Sequence, residues 1–113
     1  MPQIPLDSPQ HAFLSQFFDS LGRAADNGSS IAAELSAKNR WDFTKRDPNV
    51  MALQHKEIVS TVGANEASRA VYKEAVLGGI QNRERLGAQD PRLRDAAIEL
   101  GVPDWAIPVH INI

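Results

Sequence analysis

The chain has 113 residues, 42% of them apolar and 23% charged, with a formal net charge of −2 and no cysteine. That length suits one domain with one modest core, and the composition is that of a folded globular protein, which excludes wholesale disorder. Lack of cysteine excludes disulfides, thiolate catalysis and Cys-based zinc sites, and the slight acidity argues against a protein devoted to neutralising phosphates or anionic lipid.

The opening MPQIPLDSPQ has no basic region followed by an apolar run, and no stretch reaches 18 apolar residues. Neither export nor membrane spanning is expected, and the cytoplasm is the expected compartment. Prolines at Pro2, Pro5 and Pro9 make residues 1–8 an extended arm. Ser8 then caps a first helix with Pro9 at its first position. Phe13, Leu14, Phe17, Phe18, Leu21 and Ala25 recur at helical spacing, and Asn27-Gly28 supplies the stop.

Ser29 and Ser30 can cap a shorter helix over residues 31–38, with Ile31 and Leu35 on one side. The segment KNRWDFTKRDP, in which Trp41 and Phe43 alternate with polar residues, lacks helical period and reads as a loop or a short extended piece. Asp47-Pro48 repeats the cap-plus-proline start, and Met51, His55, Ile58 and Val62 form the stripe of a third helix ending near Gly63.

Residues 65–86 form the longest proline-free helical stretch and are expected to organise the others. Its apolar residues Ala67, Ala70, Val71, Val76, Leu77 and Ile80 point several ways, which implies neighbours on more than one side. Gly78-Gly79 within it implies close approach by another backbone or a break. After Gly87, Asp90-Pro91 opens a last helix with Leu93, Ala96, Ala97 and Leu100 on one face, closed by Gly101. In the tail, residues 102–113, Pro103 and Pro108 exclude regular helix, and Val109, Ile111 and Ile113 alternate with polar residues as a short strand would.

The expected fold is therefore all-α, with four or five helices and a short C-terminal strand. No metal-ligand spacing, nucleophile motif or phosphate loop occurs. His11, His55 and His110 stand in three separate elements, and His55 on the Met51–Ile58 face is expected to be a packed or surface histidine. No catalytic, metal or cofactor residue is assigned; an enzyme would need distant residues to converge. Lys38, Arg40, Lys45 and Arg46 interleaved with Trp41 and Phe43 have the make-up of a single-strand nucleic-acid contact, diluted by Asp42 and Asp47. A solvated loop pinned by Trp41, or a protein contact, is the preferred reading there.

The stripe Phe13, Phe17, Phe18 and Leu21 reads either as core or as an anchor laid in a partner's groove. Trp41, Trp105 and Ile111 complete the candidate partner-binding set, since an unpaired terminal strand readily adds to another chain's sheet.

The Ala-rich run HKEIVSTVGANEASRAVYKEA, and an ending in which Leu100-Gly101 precedes Ile107-Pro108-Val109-His110-Ile111-Asn112, resemble the small bacterial antiactivators of LuxR-type quorum-sensing regulators, the TraM-like and QslA-like proteins. Those proteins carry the leucine-glycine and isoleucine-proline pairs almost side by side, whereas Val102 to Ala106 separates them here. The resemblance implies a helical, non-enzymatic homodimer that binds such a regulator and blocks its dimerisation or DNA binding. Other small binding proteins, for immunity or secretion, fit the same residues.

Overall fold

The computed structural model describes residues 4–38, 47–63, 65–82 and 88–108, with side chains excepted at 36–38. Five helices follow one another: α1, Pro9–Asp26; α2, Ser30–Lys38; α3, Pro48–Val62; α4, Glu66–Gly79; α5, Pro91–Glu99. A 3-10 turn, Asp104–Ala106, comes after α5. Among the described residues the extended pairing is one isolated antiparallel bridge, Gln81 to Gln89. The expected strand from Val109 to Ile113 lies outside the described residues.

Each start has its local cause. Ser8 Oγ accepts from the His11 N–H at 3.2 Å, Ser29 Oγ from the Ala32 N–H at 3.1 Å, and Asn65 Oδ1 from the Ser68 N–H at 3.1 Å. Asp47 and Asp90 each accept from the N–H two residues on at 2.9 Å, with proline at the head of the helix. These caps satisfy donors that the first turn cannot. Gly28 and Gly101 follow α1 and α5 with φ of 101° and 97°, a conformation that a Cβ would strain.

Two features differ from the sequence expectation. First, α1 is the hub: it packs against α2, α3, α4 and α5. α4 buries one stripe, Tyr72, Ala75, Val76 and Gly79, while Ala67 and Ala70 stay exposed. Alanine is small enough to sit in water at little cost, so its direction says little about neighbours.

Second, α4 stops at Gly79, short of residue 86. The Ile80 N–H still bonds Val76 O, but Asp90 N–H then donates to Ile80 O at 2.8 Å and Asn82 N–H to Ala88 O at 2.7 Å. Both glycine alternatives are met at one place. A Cβ on Gly79 would lie 2.7 Å from Phe13 Cε1 and 3.3 Å from the Phe13 carbonyl oxygen, and one on Gly78 would overlap Ser20. Contact that close to α1 needs glycine, and two glycines in succession also weaken the helix enough to end it.

The arm is tied down within its described part. Ser8 N–H bonds Pro5 O at 3.2 Å, and the Ile4 N–H donates to Asn49 Oδ1 at 3.1 Å, joining the lead-in of α1 to the start of α3.

Candidate functional site

The aromatic stripe of α1 sits in the chain's own core. Phe13 and Phe17 are 0% exposed, and Phe18 and Leu21 are also buried. Of the two readings of that stripe, core and anchor, the structure places it in the core, and as folded these four side chains offer a partner no surface. The reason lies in α4, whose Gly79 lets Phe13 approach and whose Tyr72 packs on Phe17 with ring centroids 5.6 Å apart.

Inside this cluster lies the one described histidine enclosed by rings. His55 is 0% exposed; Phe17 and Phe13 meet its ring edge-on at 5.2 and 6.1 Å, and Tyr72 stacks on it at 5.8 Å. Its Nε2 lies 2.7 Å from Tyr72 Oη, while Nδ1 is buried with no hydrogen-bond partner. Burial disfavours the charged form of each group. Desolvation accordingly lowers the His55 pKa from 6.5 to about 4 and raises that of the Tyr72 phenol. A neutral imidazole hydrogen-bonded to a phenol could pass a proton between them, but no substrate atom can reach the pair in the closed fold. The sequence read His55 as a packed or surface histidine; the structure makes it a packed one, and its partner, 17 residues away, was not foreseen.

Trp105 is half-buried, its ring 5.6 Å from Tyr72 on one side and 5.0 Å from the Arg69 guanidinium carbon on the other. Arg69 Nε also donates to Gly63 O at 2.6 Å, so one side chain joins the α3–α4 turn to the tail. Trp41 and Ile111, together with Arg40, Lys45, Arg46 and His110, lie outside the described residues. His11 Nε2 lies 3.4 Å from Ser15 Oγ on the same helix.

A different surface, missed in the sequence, is the outer side of α3. Val50 is 42% exposed and Leu53 is 55% exposed, beside a shallow depression of about 510 Å³ whose described lining includes Gln54, Lys56, Glu57 and Ser60. The signal was present: at 100° per residue, position 53 falls roughly opposite Met51, His55, Ile58 and Val62, and position 50 about 110° to one side of them. α3 therefore has apolar residues on two faces, one of them turned to solvent.

Among the described residues no three His, Asp or Glu side chains converge to hold a metal ion, and no helix is long and apolar enough to cross a membrane. Comparison of the chain with protein-family models, with curated proteins and with solved structures found no significant match in any of the three.

Proposed function

We propose that this chain is a cytoplasmic, non-enzymatic regulator that works by gripping another protein, and that its partner is a LuxR-type quorum-sensing transcription regulator whose dimerisation or DNA binding it blocks. The observation that carries the protein-binding reading is the exposed apolar pair Val50 and Leu53 on a helix whose opposite face is already buried. Apolar side chains held in water on a rigid helix are the raw material of an interface anchor. The nature of the partner rests on the resemblance of the residue 55–75 run and of the closing residues to LuxR antiactivators. The same resemblance makes the chain a homodimer, so light scattering should give twice the 12.4 kDa chain mass.

The deciding experiment co-expresses the chain with a LuxR-type regulator of its own host and follows both through size exclusion and operator binding. Co-elution and loss of operator binding are expected, with Leu53→Asp reversing both while far-UV circular dichroism stays native. Independent elution with operator binding intact defeats the regulator assignment. Capture that survives Leu53→Asp in a folded variant moves the contact off α3.

A further inference from the structure

The His55–Tyr72 pair is sealed unevenly. On one side stand Phe13 and Phe17, fully buried and carried by the 18-residue helix α1. On the other, Tyr72 is covered by Trp105, which stands on a three-residue 3-10 turn with no side-chain cap and is itself half-buried. Displacing α1 would open the whole core. Lifting the turn would expose Tyr72, Trp105 and the small side chain of Ala106, which makes it the cheaper way for water to reach the imidazole.

Protonation supplies a reason to lift it. In the imidazolium both ring nitrogens carry hydrogens. Nε2–H can donate to Tyr72 Oη, whereas Nδ1–H has no acceptor among the described residues. No described side chain offers a counter-charge. α1 presents phenyl rings, α4 the phenol of Tyr72, the tail the indole of Trp105 with the Arg69 cation behind it, and Lys56 and Glu57 beside His55 are exposed. A buried charge without partner or water is strongly disfavoured, so the charged ring favours whichever state hydrates it.

We propose that the Trp105 turn is an acid-released cover: proton uptake from solvent by the His55 imidazole drives the turn off Tyr72 and admits water to the pair, while the five helices stay formed. This device is independent of the partner reading above.

The test uses the full chain with Trp41→Phe, which leaves Trp105 as the sole indole. Acrylamide quenching and far-UV circular dichroism are recorded together from pH 7.5 to 4.5. Quenching should rise severalfold below pH 6.5 with helicity unchanged, since each pH unit can shift the open-to-closed ratio by up to tenfold. In His55→Phe the profile should be flat. A flat profile with His55 present, the same rise in His55→Phe, or helicity lost in step with the quenching each overturns the proposal. Should His55→Phe not fold, Tyr72→Phe serves: by leaving both ring nitrogens unpartnered it should raise quenching at every pH and keep the acid dependence. Unchanged quenching in that variant also overturns it.

Discussion

Replacing Phe17 by alanine tests whether the aromatic stripe is core or grip. The ring is 0% exposed and has four aromatic neighbours among the described residues, Phe18 at 5.0 Å, His55 at 5.2 Å, Tyr72 at 5.6 Å and Phe13 at 5.9 Å between centroids. These neighbours come from α1, α3 and α4, so no single helix can slide to fill the space that the ring leaves. Emptying such a site costs about 3–5 kcal/mol, a large part of the roughly 5–15 kcal/mol that holds a domain of this size together. With about 2.1 cal/mol/K of unfolding entropy per residue, 113 residues give roughly 0.24 kcal/mol/K, so a loss of ~4 kcal/mol lowers Tm by about 17 °C. Thermal melts followed by far-UV circular dichroism read this directly. A Tm within about 3 °C of the parent, with a native spectrum, would refute the enclosed position of the ring and return Phe17 to the candidate anchors.

Gly79→Ala should destabilise by about 1–3 kcal/mol despite alanine's better helix propensity, because its methyl meets the Phe13 ring and carbonyl; a more stable variant in urea titration would show that α1 and α4 lie further apart. Asp90→Ala should cost about 1 kcal/mol by stripping the cap that accepts from Arg92 N–H, with the loss appearing in the same titration and no loss meaning that water substitutes. For pH, the folded His55 value of about 4 lies below the free value of 6.5, so the unfolded chain binds the proton more readily. His55 costs the closed fold nothing above pH 6.5 and weakens it as pH falls toward 4, by roughly 2 kcal/mol at pH 5. The urea midpoint should therefore drop more between pH 7 and pH 5 in the parent than in His55→Phe, and equal drops would contradict the neutral buried ring.

How far the fold could be read in advance depended on the range of the forces involved. Helix starts at Ser8-Pro9, Asp47-Pro48 and Asp90-Pro91, and the stops after Asn27 and Leu100, are set by hydrogen bonds and backbone sterics within four residues, and each stands where its sequence signal put it. The same holds for the buried stripe of α3, because periodicity is local information. Tertiary packing decided the rest. The Gly78-Gly79 pair marked a close approach or a break, but that α1 presses Phe13 against Gly79 there, and that Gln89 and Asp90 return to pair beyond it, are contacts that the local pattern does not contain. Core and grip share one residue vocabulary, so only the packing of the other helices over Phe13, Phe17, Phe18 and Leu21 made that stripe interior, and it left Val50 and Leu53 among the apolar residues turned to water. His55 and Tyr72 each looked ordinary in their own helices; the 2.7 Å between them exists because two helices cross there, and it is this crossing that turns a titratable side chain into a neutral, water-starved one.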